Sequence, residues 1–539
     1  MKNKPYPLYQ TNHIDTLQDL LLLCKTKHSD KKAFWYADRK GSITEISYAQ
    51  FVRDTETVIS FIQSQHIEKS GIGIYGENSY EWIVAYFAAV CSGNFAVPVD
   101  KDLPVNEAKD ILDRADCKLM FFADNYSDEV SQMQLIETAS VNMNSFNNME
   151  YSEPAPVEIH ENDLAAIVFT SGTTGKSKSV MLTHKNIAAD AENSEKILDV
   201  PEGTILLLPL HHTFGMMAGV ICQLLLGFPV FINQSLRFLK RDIELAKPGH
   251  LAVVPLIIES LYKSIWDNAK KSGKEKLLKR MVSISNALLK IGIDLRRVLF
   301  KSVIDGLGGN LKILISGGAP ISADLINGIE SFGIKPINGY GITECSPIVS
   351  VTRNKHSNFP STGCVIPCCE VKIINPDENG IGEICVKGDT VSQGYYDSPE
   401  ATAESFKDGW FITGDLGYTD KDGFLYICGR KKNLIILSNG KNISPEELEC
   451  LVSEIENVDE VIVYGENDLI TAEIYAEDRS GIEEGIDALN KTLPMYKQIQ
   501  KIKFRDSEFE KTTTKKIRRH DKKISGRQCE NSENLIQWK

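Results

Sequence analysis

Several features that mark other classes of protein are missing from this chain of 539 residues. The first residues contain no apolar segment of the kind that begins a secretory signal, so we expect a cytoplasmic protein. The twelve cysteines form no repeated C-x-x-C pair, and only Cys364, Cys368 and Cys369 lie close together. This spacing predicts reduced, mostly buried cysteines and not a zinc site. The net charge of −13 excludes a surface built as a whole for nucleic acid.

Charged residues are absent from residues 203–235, and the apolar run from Phe214 to Ile232 is long enough to span a bilayer. Gln223 interrupts the run, however, and Gly227 and Pro229 break it. We therefore predict a buried helix over 215–226 and a buried strand over 230–232 in a soluble protein.

The length indicates at least two domains, and the apolar pattern indicates an α/β fold. Early in the chain, apolar strands at Gly71–Tyr75 and Ala96–Val99 flank a helix, which predicts a parallel sheet. Residues 125–161 are polar and irregular, and we expect a loop there. Residues 361–429 alternate Val and Ile with polar residues, which indicates an antiparallel, barrel-like subdomain. A smaller α/β pattern begins after Arg430, with strands at 458–464 and 469–475.

Between the apolar strand 164–169 and Val180, every residue is Thr, Ser, Gly or Lys. Small residues let a backbone surround a ligand and turn its N–H groups inward, which suits a phosphate. The stretch differs from the Walker loop, because only Thr173 and Thr174 separate Gly172 from Gly175. The structural alternative is a surface turn.

This stretch resembles the signature loop of the adenylate-forming (AMP-dependent) synthetases, which include acyl-CoA synthetases, luciferases and the adenylation domains of peptide synthetases. Four further stretches match that family in order: LPLHHTFG at 208–215, SGGAP at 316–320, NGYGITE at 338–344, and GWFITGDLGY with GRKKNLI between 409 and 435. The resemblance runs from about residue 20 to 520. An additional segment before SGGAP makes the chain most similar to the long-chain fatty acyl-CoA synthetases.

The resemblance implies a set of site residues. The ATP or AMP ligands would be Thr170, Ser171, Gly172, Thr173, Thr174, Gly175, Lys176, Gly318, Asn338, Gly339, Tyr340, Thr343, Asp415, Arg430 and Lys432. Thr170 and Glu344 would hold Mg²⁺, and His212 and Phe214 would contact the acyl substrate. The catalytic residues would be Lys516, Thr170, Glu344 and His212. The structural alternatives are a helix cap for Glu344, a turn for Asp415 and a packing role for His212.

The resemblance also implies two domains, residues 1–430 and residues 431–539. The first would contain two parallel-sheet α/β subdomains and the small β-barrel. The second would be a mobile α+β domain that turns at Lys432. Near its end, the family pattern Lys-Thr-x-x-Gly-Lys-Ile-x-Arg matches residues 511–519 and selects Lys516. Lys515 replaces the usual glycine and Glu510 the usual proline, so Lys515 stays open as the working amine.

Residues 263–301 carry eleven Lys or Arg against three acids. Met281, Ile284, Leu288, Ile291 and Leu295 recur within them at helical spacing. One interpretation is a solvated helical pair that buries this apolar stripe. The other is a basic amphipathic face that touches an anionic membrane, which would place the protein at the inner face of the membrane.

The expected activity is an ATP-dependent carboxylate–CoA ligase. It would use ATP, Mg²⁺ and coenzyme A to convert a carboxylic acid to acyl-AMP, release pyrophosphate, and form the acyl-CoA. An acyl-carrier-protein ligase shares the first step. A non-catalytic acyl- or nucleotide-binding relative and a luciferase-type oxygenase are further alternatives. Acyl chain length and oligomeric state cannot be inferred from these motifs.

Overall fold

The computed structural model describes residues 7–170, 177–355, 357–437, 442–511 and 517–519. The chain separates into two compact units. The first comprises Met1–Thr413 and Gly417–Ile427, and the second comprises Gly414–Leu416 and Cys428–Lys539. The boundary predicted after Arg430 therefore falls three residues inside the second unit. The predicted α/β class is confirmed.

The strands of the first unit, with β19 and β20 shared between the units, are as follows: β1 Lys32–Ala37, β2 Ile43–Ser47, β3 Gly71–Tyr75, β4 Phe95–Val99, β5 Cys117–Phe122, β6 Ala139–Asn142, β7 Leu164–Thr170, β8 Lys178–Thr183, β9 Thr204–Leu206, β10 Val230–Ile232, β11 His250–Val253, β12 Ile313–Ser316, β13 Lys335–Gly341, β14 Ile348–Val351, β15 Gly363–Val365, β16 Cys369–Ile374, β17 Gly382–Gly388, β18 Phe406–Lys407, β19 Trp410–Thr419 and β20 Phe424–Arg430.

The α-helices of the first unit are α1 Leu17–Lys27, α2 Tyr48–Ser64, α3 Tyr80–Cys91, α4 Val105–Arg114, α5 Ser127–Met133, α6 His184–Ile197, α7 Thr213–Met216, α8 Cys222–Leu226, α9 Leu239–Ala246, α10 Pro255–Lys271, α11 Glu275–Lys290, α12 Arg296–Leu299, α13 Lys301–Gly306, α14 Ala323–Glu330 and α15 Pro399–Ser405. The second unit adds β21 Ile435–Ile436, β22 Asn442–Ile443, α16 Pro445–Ser453, β23 Glu460–Glu466, β24 Leu469–Tyr475, α17 Ile482–Asn490 and β25 Lys501–Arg505.

One sheet of the first unit has the order β6-β5-β3-β4-β7-β8. Its strands are parallel except for the β7–β8 pair. Helix α3 begins at the Ser79 cap, whose hydroxyl accepts a hydrogen bond from Trp82 N, and every residue of the helix except Glu81 is buried. A helix that is apolar on all sides must lie in the interior. This helix therefore lies in the main hydrophobic core of the unit.

A second sheet begins with the parallel strands β11-β12-β13 and continues through β14-β15-β20-β19-β17-β16, while β18 pairs with β19. The antiparallel strands predicted for 361–429 are thus present, and they extend the parallel part. Strand β13 is the junction, because it is parallel to β12 and antiparallel to β14. A third sheet has the order β2-β1-β10-β9.

The uncharged run folds into the interior. Residues 213–226 form α7, a π-helical turn over Met217–Ile221, and α8, and the buried strand β10 follows at the predicted residues. Among the described residues, no helix combines the length and the apolar character needed to cross a membrane.

The second unit packs α16 and α17 with the strands β23-β24-β25. Strand β24 matches its predicted residues, but β25 was not predicted. Strand β25 lies parallel to β24, and its side chains are only half-buried. A strand of this kind carries a weak apolar signal in the sequence.

The expectation of a loop over residues 125–161 was wrong in part, because these residues contain α5 and the edge strand β6 as well as irregular chain. Strand β9 ends at Leu206, before the HHTFG segment. Strand β13 continues through Gly339-Tyr340-Gly341, and these residues pair with β14.

Candidate functional site

The first part of the site lies where β7 ends. Thr170 is the last residue of this strand and pairs with Lys178 of β8. In open α/β sheets, ligands bind beyond the carboxyl ends of the strands. The predicted phosphate contacts Ser171, Gly172, Thr173, Thr174, Gly175 and Lys176 lie outside the described residues, so they stay predictions.

Glu344 lies in a 3₁₀ turn, Thr343–Cys345, that follows β13. The residue is buried, and Tyr395 Oη donates a hydrogen bond to its Oε1 at 2.8 Å. Burial raises the pKa of Tyr395, and the nearby Glu344 charge raises it further. The phenol therefore stays protonated and donates to the carboxylate over the whole working pH range.

Lys178 connects these two places. Its Nζ lies 3.3 Å from Tyr395 Oη and 4.5 Å from the centre of the tyrosine ring. A chain of contacts therefore links Thr170 to Glu344. Thr170 pairs with Lys178 across the two strands, Lys178 contacts Tyr395, and Tyr395 donates a hydrogen bond to Glu344. The structure thus brings Thr170 and Glu344 into one network of the first unit.

The residues on either side of Tyr395 form main-chain hydrogen bonds with β8. Met181 N donates to Gly394 O at 3.0 Å, and Tyr396 N donates to Ser179 O at 2.8 Å. Ser392 N donates to Glu344 O at 2.9 Å, which ties the same segment to the 3₁₀ turn. These main-chain bonds fix the position from which Tyr395 reaches the carboxylate.

The sequence interpretation missed Tyr395 and Lys178. A weak signal for Tyr395 was present, because it follows Gly394 in a stretch that interrupts the antiparallel strands. Gly394 has φ +131°, and a Cβ there would lie 2.5 Å from the Thr402 side chain. Only glycine suits such a position, so the segment has a fixed shape.

The predicted adenine contacts lie at the ends of two neighbouring parallel strands. Ser316, the last residue of β12, is in register with Asn338 of β13, and Gly318 follows two residues after Ser316. Asn338 is buried, its backbone N–H donates to Thr352 Oγ1 at 2.8 Å, and its side-chain amide donates to Ser361 O at 3.4 Å. Tyr340 is half-buried beside them.

The HHTFG segment is a tight turn that ends in α7. Asn78 holds it from both sides, since its Nδ2 donates to Leu208 O at 2.8 Å and its Oδ1 accepts from Leu210 N at 2.9 Å. A Cβ on Gly215 would lie 2.2 Å from Pro209 O, so only glycine fits there. The geometry of the turn therefore follows from these two residues.

Phe214 projects from this turn towards the second sheet. Its ring carbons would lie 3.0–3.1 Å from a Cβ on Gly317, so the ring packs against the SGG backbone. It belongs to a small apolar group with Leu208, Ala252 and Val254. The structure thus brings the predicted acyl residue Phe214 next to Gly317, which precedes the predicted nucleotide residue Gly318.

The rings of the two histidines in the turn are in contact, with their centres 4.2 Å apart and their planes tilted by 46°. Burial lowers the pKa of His211 to about 4, so its ring is neutral near pH 7, with Nε2 3.6 Å from Asp100 Oδ2. His212 is half-buried and precedes the first residue of α7. A cavity of about 20 Å³ lies beside His211, Thr213 and Ser346. The HHTFG turn therefore borders the chain next to Glu344.

The remaining predicted residues belong to the second unit. Asp415 is buried and forms an ion pair with Arg430, with Nε 2.8 Å from Oδ1. Lys432 is exposed in a short 3₁₀ turn that follows. Asp415 and Arg430 are therefore joined to each other, as a shared role requires.

Lys515 and Lys516 lie outside the described residues. The residues on either side are described: Lys511 and Ile517 form an antiparallel bridge, and Arg518 N donates to Glu510 O at 2.7 Å. Arg519 pairs with Glu449 of α16. The catalytic assignment of Lys516 therefore stays a prediction, on a segment whose two ends are anchored.

Metal-binding potential is limited in the part of the chain that the structure describes. No group of three or more His, Cys, Asp or Glu side chains is arranged to hold an ion there. The eleven described cysteines, including Cys364, Cys368 and Cys369, form no disulfide. A Thr170 hydroxyl and a Glu344 carboxylate nevertheless suit Mg²⁺, which prefers oxygen and takes few protein ligands.

Comparison with known proteins adds to this geometry. A sequence model of the family described as AMP-binding enzyme matches residues 24–396. Long-chain-fatty-acid–CoA ligase 1 of Homo sapiens is 29% identical over 478 residues, covering 78% of this chain and 68% of that protein. Long-chain-fatty-acid–CoA ligase 5 of Rattus norvegicus is 28% identical over 523 residues, covering 86% and 76%.

Solved structures match over most of the chain. O-succinylbenzoate CoA synthetase from Bacillus subtilis, in complex with its acyl-adenylate intermediate, has a TM-score of 0.75 at 22% identity, covering 94% of this chain and 97% of that one. The same enzyme in complex with ATP and a magnesium ion has a TM-score of 0.73 at 22% identity, covering 92% and 98%. Likeness at this identity establishes the fold alone.

Proposed function

This chain belongs to the AMP-binding enzyme family as an AMP-forming acyl-CoA ligase, and we propose that its acid is a long-chain fatty acid and its acceptor is coenzyme A. The observation that carries the proposal is the network at the ends of β7 and β13. It joins Thr170, through Lys178 and Tyr395, to the buried carboxylate of Glu344. The two long-chain relatives support the choice of acid.

The reaction has two steps. The substrate carboxylate attacks the α-phosphorus of ATP, the bond to the β-phosphate oxygen breaks, and pyrophosphate leaves. The thiol of CoA then attacks the acyl carbonyl of acyl-AMP, and AMP leaves as the thioester forms. The obstacle in the first step is that one anion must approach another, so positioning and charge stabilisation dominate catalysis.

The first unit would supply the phosphate and metal contacts. Thr170, with Thr173, Thr174 and Lys176, would bind the phosphates, and Thr170 and Glu344 would hold Mg²⁺. Bound there, Mg²⁺ would neutralise charge on the leaving pyrophosphate. Tyr395 would keep the Glu344 carboxylate in its orientation, since hydrogen bonds to a metal-binding residue fix its geometry.

The nucleoside and acyl contacts would meet at the HHTFG and SGG segments. Gly318, Asn338, Gly339 and Tyr340 would hold the adenine, and Thr343 the α-phosphate. Asp415, oriented by Arg430, would accept hydrogen bonds from both ribose hydroxyls, as a carboxylate with two oxygens can. His212 and Phe214 would lie against the carboxyl end of the acyl chain. The acyl chain would then enter beside the apolar group around Val254, to which Phe214 belongs.

The second unit would supply Lys516. Its amine would bridge the attacking carboxylate and the α-phosphate while charge develops. We propose that residues 431–539 then turn about Lys432 and present a different face to CoA. Domain movements of this kind order the steps of a reaction.

The test of function is an assay of pyrophosphate release with short-chain, long-chain and aryl acids, followed by acyl transfer to CoA or to holo-acyl-carrier protein. We expect the highest kcat/KM with a long-chain acid and thioester formation on CoA. A preference for an aryl or short-chain acid would overturn the choice of substrate. Faster transfer to the carrier protein would overturn the choice of acceptor, and absence of pyrophosphate release would leave a non-catalytic binding protein.

A further inference from the structure

We propose that the outer face of α11 binds the anionic surface of a phospholipid bilayer. This outer face consists of the apolar residues Leu277 and Ile284 of the helix and Ile291, its C-cap residue, and it is flanked by the basic residues Lys276, Arg280 and Lys290. The proposal goes beyond the reaction, because it states where the enzyme meets a water-insoluble acid. Its test is separate from the test of the reaction.

The apolar part of the outer face is exposed. Leu277 is 55% exposed, Ile284 is 59% exposed, and Ile291 is 71% exposed. Residues seven apart lie on one side of a helix, so Leu277 and Ile284 share one side of α11, and Ile291 follows directly at its C-cap. Of the eighteen large apolar side chains exposed among the described residues, eight lie within 256–298. A concentration of this kind marks an interaction surface more often than chance exposure.

Helices α10 and α11 contact the rest of the first unit through residues that lie outside this outer face. In α10, Tyr262 packs against Gly328, where a Cβ would come within 2.6 Å of the ring, and Trp266 lies 6.2 Å from Phe332. In α11, Ser285 is the buried residue, and Asn286 Nδ2 donates to Ser331 Oγ at 3.2 Å. Ser285 lies about 100° around the helix from Ile284. The interpretation that the whole predicted stripe is buried is therefore wrong.

The charge around this outer face is basic. Residues 263–301 hold eleven Lys or Arg against three acids, in a chain whose net charge is −13. Two of the acids are paired within the segment, Glu275 with Lys279 at 2.7 Å and Asp294 with Arg296 at 2.8 Å. Nine of the basic residues are exposed: Lys263, Lys270, Lys271, Lys274, Lys276, Lys279, Arg280, Lys290 and Lys301. The segment is thus complementary to an anionic surface.

A lipid surface fits better than a second copy of the chain. A line of apolar residues every seven positions could also pair with another helix. In a pair of copies joined through this face, however, the basic side chains Lys276, Arg280 and Lys290 of the two copies would lie close together and repel. On an anionic bilayer, the apolar side chains enter the interface while the basic side chains reach the phosphates. Each Lys or Arg there strengthens binding by about fivefold.

The experiment is vesicle flotation of the full chain, without substrates, on phosphatidylcholine alone and on phosphatidylcholine mixed with phosphatidylglycerol. We expect binding to the mixed vesicles only, weakened by added salt. The triple variant Lys276→Glu, Arg280→Glu, Lys290→Glu should bind at least about a hundredfold more weakly. The triple variant Leu277→Ser, Ile284→Ser, Ile291→Ser should also lose binding while keeping its charge.

Two control variants make the same kinds of substitution at exposed positions outside this face. Lys40→Glu, Lys407→Glu, Lys421→Glu alters the net charge equally at exposed sites, and Ile43→Ser, Ile136→Ser, Leu236→Ser removes exposed apolar residues. Both controls should bind vesicles normally, and every variant should release pyrophosphate normally with a water-soluble acid. Equal binding to both vesicle types would overturn the proposal. Self-association that the serine variant alone abolishes, without lipid binding, would also overturn it.

Discussion

The two units hold their charged groups in different ways. In the first unit, Glu344 is buried and receives a hydrogen bond from Tyr395, whose backbone is fastened to β8. In the second unit, Lys432 is exposed, and Lys516 belongs to a segment whose described ends are Lys511 and Ile517. We infer that the first unit positions its groups by its own sheet edges. We propose that the lysines of the second unit act according to the position of that unit in each step.

The largest effect should follow loss of the lysine in the second unit. Lys516→Ala should nearly abolish acyl-AMP formation, because removal of one group that stabilises developing charge costs about 3–4 kcal/mol. Pyrophosphate release under single-turnover conditions measures this step. Lys515→Ala is the matched control and should keep most of the rate. A severe defect in Lys515→Ala alone would shift the assignment by one residue.

In the first unit, Glu344→Gln keeps the shape of the side chain and removes its charge. Adenylation should fall by on the order of a hundredfold or more, because a group that holds Mg²⁺ against the phosphates is lost. The measurement is kcat for pyrophosphate release, with circular dichroism to check folding. Normal adenylation by a folded variant would mean that this carboxylate does not hold the metal.

The two units also differ in how their folding stability depends on pH. Nine of the ten histidines lie in residues 1–427. His184 Nδ1 accepts from Leu17 N at 3.2 Å, and burial lowers the His184 pKa to about 4. Its folded pKa is below the ordinary 6.5, so its contribution to stability is present above pH 6.5 and is lost as the pH falls towards 4. In the second unit, burial raises the Glu449 pKa to about 7. The contribution of Glu449 to stability is therefore present at low pH and is lost as the pH rises towards 7.

His184→Gln should therefore flatten the pH dependence of the first unit. Between pH 6.5 and 4, the variant should lose about 2 kcal/mol less unfolding free energy than the natural protein. Urea unfolding at several pH values measures this difference. The exposed His66→Gln is the control and should follow the natural protein. Parallel curves for His184→Gln and the natural protein would show that this ring is not buried in its neutral form.

The smallest effect should come from Tyr395→Phe, which removes the hydroxyl that donates to Glu344. We expect about a tenfold rise in the Mg²⁺ concentration needed for half-maximal adenylation, since hydrogen bonds to a metal-binding residue tune its affinity. The rate at saturating Mg²⁺ should change little. Tyr396→Phe is the matched neighbour and should leave the Mg²⁺ dependence unchanged. A loss of rate that Mg²⁺ does not restore would assign Tyr395 a different role.

The sequence predicts the buried parts of the fold best. Strands Gly71–Tyr75, Val230–Ile232 and Leu469–Tyr475 occur at their predicted residues, because each is an apolar run next to a turn. The edge strand Ala139–Asn142 was missed, since it is short and partly exposed. An edge strand forms through pairing with its neighbour, and pattern alone reveals little of this.

The site divides in a similar way. Motifs select Thr170, Glu344 and Phe214, and the structure brings Thr170 to Glu344 and Phe214 to Gly317. Tyr395 could not be found in this way, because its partner Glu344 lies 51 positions earlier in the chain. The apolar period of α11 was visible in the sequence. Which part of that stripe faces outward depends on how the helix packs, and the sequence does not contain that information.

The proposed division of work between the units has one direct test. Lys516→Ala and Lys432→Ala are each given synthetic acyl-AMP and CoA, so that the first step is bypassed, and thioester formation is measured. Lys516→Ala should form acyl-CoA at close to the natural rate, because the charge that its lysine would offset is already gone. Lys432→Ala should be slower in this step than in adenylation, since Lys432 is the residue about which we propose that the second unit turns. Equal losses in both steps for Lys516→Ala would contradict the account.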